Sequence, residues 1–277
     1  MTRTEELRAV AQRVADGLPA EVREIVLTGS VSRGVADELS DIELLVVGDE
    51  LPAYEDAVAA AERAGLARVD TWVRRDLPAR HLGGVLDGQA IELVWWSRAF
   101  ADERVRAILA CEILDGRLLT ADALVYGIAL RTNGALEDWQ ARLARYPAPL
   151  TPALVREAAL MWRGYQPNGL FTIARPGERV ALVERLVDDV RRIVRIVFAL
   201  NRAWEPTLKR LAARAAPLEV KPPLLAERAE SALTEREPRA ALQTIYELAA
   251  ETLALVPEEI EITRSRAWVA EALELVR

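Results

Sequence analysis

The chain has 277 residues, of which 51% are hydrophobic and 29% charged, a balance that excludes wholesale disorder and allows one large domain or two smaller ones. Its formal net charge of −7 gives no support to duplex nucleic-acid binding, which draws its affinity from neutralised phosphates, and suits a cationic partner better. A single cysteine, Cys111, excludes an internal disulfide and a thiolate zinc cluster, and a single histidine, His81, would have to carry any imidazole mechanism.

In chain order, Glu5 to Gly17 predicts an amphipathic helix, with Leu7, Val10, Ala11 and Val14 at helical spacing. Glu24 to Thr28 is a short β-branched strand ending at Gly29-Ser30. Val31 to Ser40 is polar and reads as a loop or helix start, followed by a strand over Asp41 to Val47. A helix over Pro52 to Gly65 and a strand over Val69 to Val73 come next. Asp87-Gly88 marks a two-residue hairpin between Leu82–Leu86 and Gln89–Trp96.

Beyond Phe100 the pattern becomes helical: about Ala101 to Leu114, Ala121 to Tyr146, Pro152 to Arg163, Glu178 to Trp204, Pro222 to Leu233, Pro238 to Leu255 and Arg264 to Val276. The fold class expected is α+β, with a small mixed-sheet domain over residues 1–99 and an all-α domain over residues 100–277. The charged N-terminus, Met1 to Leu18, lacks the apolar centre of a secretory leader. The longest apolar helix candidate, near Ile193 to Leu200, is interrupted by Arg195. These features predict a cytoplasmic protein with no membrane partner.

Chemistry concentrates in Ile25-Val-Leu-Thr-Gly-Ser-Val-Ser-Arg-Gly34 and Ser40-Asp-Ile-Glu-Leu-Leu-Val-Val47. Strand residues alternate between faces, so Asp41 and Glu43 point the same way, with Ile42 on the other face. Two carboxylates side by side repel each other unless a cation lies between them. Mg²⁺ suits such a place, because it takes oxygen ligands and is held by one or two carboxylates together with substrate phosphates. The Gly29 backbone and the Ser30 hydroxyl can hold phosphate oxygens, a helix starting after Ser30 would add its positive end, and Arg33 could add a charge-assisted contact.

This segment resembles the signature of the nucleotidyltransferase superfamily that includes DNA polymerase beta, the CCA-adding enzymes and the antibiotic nucleotidyltransferases. That signature is a hydrophobic strand, Gly-Ser, a spacer, and then an acid pair in a second strand. Ser40-Asp-Ile-Glu43 is especially similar to the kanamycin nucleotidyltransferase version, and a helical domain after the catalytic one is similar in layout. The resemblance implies a third acid on a later strand. Glu92 in Ala90-Ile-Glu-Leu-Val-Trp-Trp96 fits it best, as metal ligand and as base for the acceptor hydroxyl, with Asp70 and Asp87 as rivals.

The resemblance further implies two Mg²⁺ ions held by Asp41, Glu43 and Glu92, and a nucleoside triphosphate, ATP by preference. Nucleotide contacts would come from Gly29, Ser30, Arg33 and Lys209, one of only two lysines in the chain. Asn201 and Trp204 would line the base or acceptor pocket. The acceptor it favours is the hydroxyl of a small, aminoglycoside-like molecule. A tRNA or protein acceptor, as in toxin–antitoxin nucleotidyltransferases, and a non-catalytic nucleotide-binding module stay open. Trp95, Trp96, Trp139 and Trp162 read as packing residues and His81 as a loop residue, while Glu184, Asp188 and Asp189 read as a solvated helix face.

Overall fold

A computed structural model describes residues 2–73, 78–112, 118–162 and 167–277, so the expected helix ends at Leu114 and Arg163 lie outside the described residues. The chain divides into two compact units, one of residues 1–110 and 120–145 and the other of residues 111–119 and 146–277.

The first unit is built on a six-stranded mixed sheet. Its strands are β1 (Glu24–Thr28), β2 (Ile42–Gly48), β3 (Ala67–Trp72), β4 (Arg80–Leu86), β5 (Gln89–Ser97) and β6 (Ile128–Arg131), in the order β3-β4-β5-β2-β1-β6. Only β2 and β5 run parallel; the other pairs are antiparallel. Every residue of β1 is buried, as befits an interior strand packed on both faces.

Helix α1 (Arg3–Gly17) opens with a reciprocal cap in which the Glu5 N–H donates to Thr2 Oγ1 at 3.3 Å and the Thr2 N–H donates to Glu5 Oε2 at 2.6 Å. After the single turn α2 (Gly29–Ser32) comes α3 (Tyr54–Arg63). Leu7, Val10, Ala11 and Val14 from α1 and Ala57, Ala60 and Ala61 from α3 share one core with Ile25, Leu27, Ile42, Leu44, Leu82, Ile91 and Leu93. The alternation of strand residues then sends Thr28, Glu43 and Glu92 to the opposite face of the sheet.

The stretch from Ala121 to Tyr146 departs from its helical expectation. After α4 (Arg98–Leu109) it contains the end of α5 (Leu119–Val125), then strand β6, then α6 (Ala135–Leu143). Strand β6 pairs with β1, which extends the sheet unit to Arg145 rather than ending it at residue 99. Arg131 fixes this edge, its guanidinium donating to the carbonyls of Ala15, Leu18, Pro19 and Val22 at the end of α1.

The second unit is helical: α7 (Leu150–Leu160), α8 (Leu170–Ile173), α9 (Arg179–Leu200), α10 (Leu211–Ala215), α11 (Leu225–Thr234), α12 (Pro238–Ala254) and α13 (Thr263–Val276). Asp189 of α9, expected on a solvated face, is 0% exposed. Its carboxylate accepts from Trp162 Nε1 at 2.9 Å, Arg185 Nε at 2.7 Å, Arg192 at 3.0 Å and the Tyr246 hydroxyl at 3.1 Å. Burial and the neighbouring Asp189 charge raise the Tyr246 phenol well above its ordinary range, so it stays a donor. Trp95, Trp96, Trp139 and Trp162 are all buried packing residues, as expected. Among the described residues, no helix is long and apolar enough to cross a membrane.

Candidate nucleotidyl-transfer site

Glu43 of β2 lies directly beside Glu92 of β5 in the parallel pair, and directly opposite Thr28 of β1. Side chains of such lateral neighbours leave the sheet on the same side. Asp41 stands immediately before β2, partly exposed like Glu43, with the fully buried Ile42 between them. The two-residue alternation anticipated for the acid pair is therefore present. The approach to Asp41 is stapled by a closed turn: the Ser40 hydroxyl donates to Asp37 Oδ1 at 2.9 Å and accepts from the Asp37 N–H at 2.9 Å.

Gly29 sits at φ +69°, in the left-handed region, and a Cβ there would lie 2.8 Å from the Glu43 carboxyl carbon. Only glycine allows the Glu43 carboxylate to rest against this backbone. The turn at Gly29-Ser30 and the Glu43 carboxylate thus form one contiguous place, with Ser30 partly exposed beside it. Because α2 spans only Gly29–Ser32, the expected helix dipole reduces to the local N–H groups of one turn.

The donor set is all oxygen, which matches a hard divalent cation. Among the described residues, no three His, Cys, Asp or Glu side chains converge into a ready-made cage. Mg²⁺ does not require one, since water and substrate phosphates ordinarily complete its octahedron. The in-register Glu43 and Glu92 pair, with the Gly29 cradle against one of them, fits that partial coordination.

Other expected site residues are engaged elsewhere. Arg33 forms an ion pair with the carboxylate of Asp122, and its guanidinium stacks 4.2 Å from the centre of the Tyr126 ring, tying α2 to α5 instead of extending toward Ser30. Asn201, at the end of α9, donates to the carbonyls of Val197 and Val220 at 2.7 Å each and accepts from the N–H groups of Glu219 and Val220 at 3.0 Å each. Those four bonds use the whole capacity of an amide, so Asn201 closes a loop and has nothing left for a base or acceptor. Trp204 is 7% exposed, with its ring 4.8 Å from that of Tyr146, and packs rather than lines a pocket. Lys209 is exposed, in the segment just before α10 of the second unit.

His81, expected in a loop, is a β4 strand residue only 5% exposed, with Nδ1 3.7 Å from Glu92 Oε1. His81 stands two positions before Gly83, which pairs with Glu92, so the imidazole shares that face. Asp87 belongs to the hairpin turn, where it pairs with Arg13. Asp70 pairs with Gly83 in the adjacent strand and lies in the same lateral row as Glu92 and Glu43.

The family described as nucleotidyltransferase domain matches residues 7–85. This stretch of the chain is similar to a nucleotidyltransferase domain. The matched region includes Gly29, Ser30, Asp41 and Glu43 and stops short of Glu92. A solved structure, the nucleotidyltransferase-like protein from Exiguobacterium sibiricum, is similar over 99% of this chain and 80% of its own, at 12% identity and a TM-score of 0.41. Among curated proteins, none matches the chain.

Proposed function

We propose that the nucleotidyltransferase domain moves a nucleoside monophosphate, AMP from ATP, to the hydroxyl of a small cationic acceptor. The observation that carries this reading is the side-by-side pair Glu43 and Glu92 next to the Gly29-Ser30 turn. The acceptor oxygen attacks the α-phosphorus, forming the new oxygen–phosphorus bond as the bond from the α-phosphorus to the bridging oxygen breaks and pyrophosphate departs. Mg²⁺ bound at the carboxylates supplies charge stabilisation for the attacking and leaving oxygens.

Asp41 and Glu43 hold the cation side of the site. Glu92 completes it and receives the acceptor hydroxyl's proton, which requires it within hydrogen-bond reach of that oxygen. The Ser30 hydroxyl and the backbone at Gly29 position the β- and γ-phosphates. The acidic balance of the chain, at −7, favours a cationic acceptor over a polyanionic one.

A magnesium-dependent assay with α-labelled ATP and a panel of hydroxyl acceptors tests the reading. Asp41→Ala combined with Glu43→Ala is expected to lower transfer by about 10³-fold or more, since charge stabilisation of the reacting oxygens is worth several kcal/mol. Undiminished transfer by that double variant overturns it.

A further inference from the structure

We propose that the cavity at the Glu24 end of β1 is a binding site apart from the acid pair, and that it takes a small monovalent cation, an alkali-metal or ammonium ion.

Glu24 and Thr28 are the two ends of β1, opposite Val47 and Glu43 of β2. Ile25 and Leu27 belong to the core shared with α1 and α3, so Glu24 leaves the sheet on the other face. Four residues of strand, about 13 Å, separate it from Thr28 and the turn that follows. The segment after β6 closes over Glu24. Its Oε2 accepts from the N–H groups of Asn133 and Ala135 at 3.1 Å each, with the Thr132 hydroxyl 3.2 Å away. Ala135 is the first residue of α6, so this one oxygen ties the start of that helix to β1.

The second oxygen of the same carboxylate is uncommitted. Glu24 is 1% exposed, and Oε1 has no hydrogen-bond partner. A buried carboxylate oxygen is costly unless a donor or a cation reaches it. Glu24 also forms part of the wall of a cavity of about 40 Å³, together with Glu21, Arg23, Asp49, Arg98 and Asn133. One water molecule needs roughly 10–15 Å³ of such space, so an ion fits there with a water or two.

The charges of the wall set the sign of the ligand. Glu21, Glu24 and Asp49 are acidic. Arg98 is compensated by Asp102, its Nε donating to the two carboxylate oxygens at 3.2 and 3.0 Å. Arg23 is the remaining basic group of the wall, so negative charge is in excess. Among the described residues, no three acidic or imidazole side chains converge on one point, which speaks against a divalent ion and its demand for many oxygen ligands. One buried carboxylate charge matches one positive charge.

Amide ¹H–¹⁵N spectra of the full chain test this, with Asn133 and Ala135 as reporters because both donate to Glu24. Potassium chloride and ammonium chloride are titrated in parallel with calcium chloride and with tetramethylammonium chloride, a bulky control for ionic strength. Potassium or ammonium is expected to shift both amides saturably, and the lower half-saturating concentration names the preferred ion. Glu24→Gln keeps an oxygen for the two N–H donors and puts an NH₂ group in place of Oε1. It is expected to raise that concentration about tenfold or more. Asp49→Asn is expected to raise it about twofold, and Arg23→Gln, which removes a competing cation, to lower it about twofold.

The site is overturned if neither monovalent ion gives saturable shifts, if tetramethylammonium reproduces them, or if Glu24→Gln leaves them unchanged. Calcium saturating at lower concentration than either overturns the assigned charge. Should Glu24→Gln not fold, the opposite effects of Asp49→Asn and Arg23→Gln decide, and no change in either overturns the site. None of these readouts depends on nucleotidyl transfer, so they stand or fall apart from that reading.

Discussion

The two units treat their carboxylates in opposite ways. In the helical unit Asp189 is sealed from solvent, and four donors, two of them guanidinium groups, surround its oxygens. In the sheet unit Glu43 and Glu92 are partly exposed and stand as lateral neighbours in the parallel pair β2–β5. A charge enclosed by opposite charge and hydrogen bonds holds a fold together, because removing any member strands the rest in a medium of low dielectric. Like charges set side by side at a surface work against the fold, and such an arrangement persists where a ligand resolves it.

The largest test of this contrast is Asp189→Ala. The variant leaves Arg185, Arg192, Trp162 and Tyr246 without their shared acceptor, and urea unfolding of the helical unit is expected to give a loss of about 3–5 kcal/mol. A loss under 1 kcal/mol would put Asp189 on a par with an ordinary surface pair.

Gly29→Ala comes next. The new methyl meets the Glu43 carboxylate while the backbone is held at positive φ, so stability is expected to fall by about 1–2 kcal/mol. Transfer activity, measured at a temperature where the variant is fully folded, should fall as well, because the carboxylate is displaced from its seat.

The smallest effect has the opposite sign. Glu43→Gln removes one charge of the lateral pair with Glu92, and in the absence of divalent ions the variant is expected to be more stable than the wild type by about 0.5 kcal/mol. Magnesium should raise the melting temperature of the wild type and lose that effect in the variant, which paired thermal scans would register. A destabilised metal-free Glu43→Gln would remove the distinction between the two units.

The same contrast explains what could be read from the sequence. The acid pair and its turn were legible because they follow from strand alternation and from a glycine where the backbone needs one; both are local properties of consecutive residues. Glu92 was legible as a strand residue, but its alignment with Glu43 depends on which strands pair and in what register, which no local pattern encodes.

Side-chain chemistry alone points Arg33, Asn201 and Trp204 toward ligands, yet each has partners within its own unit: Asp122 and Tyr126, the 219–220 backbone, and Tyr146. Residue identity reports capacity for an interaction, and only the fold says where that capacity is used. Asp189 departs from its expected solvated face for a related reason: a helical aspartate beside arginines has the pattern of a solvated face, and here Trp162, just after α7, and Tyr246 of α12 close over it. Strand β6 leaves no signal in the sequence, because four residues between two helices are too few to establish an alternating period.

The late arrival of β6 has a consequence for how this chain is made. The ribosome releases the first five strands well before residue 131, and until then the outer edge of β1 has no partner and the carbonyls at the end of α1 lack the Arg131 guanidinium that joins them. A nascent or truncated chain ending near residue 99 would expose an apolar strand with a bare edge, a template for pairing with other chains. Expression of residues 1–145 instead of 1–99 supplies that missing edge, and the comparison of their solubilities would register its worth.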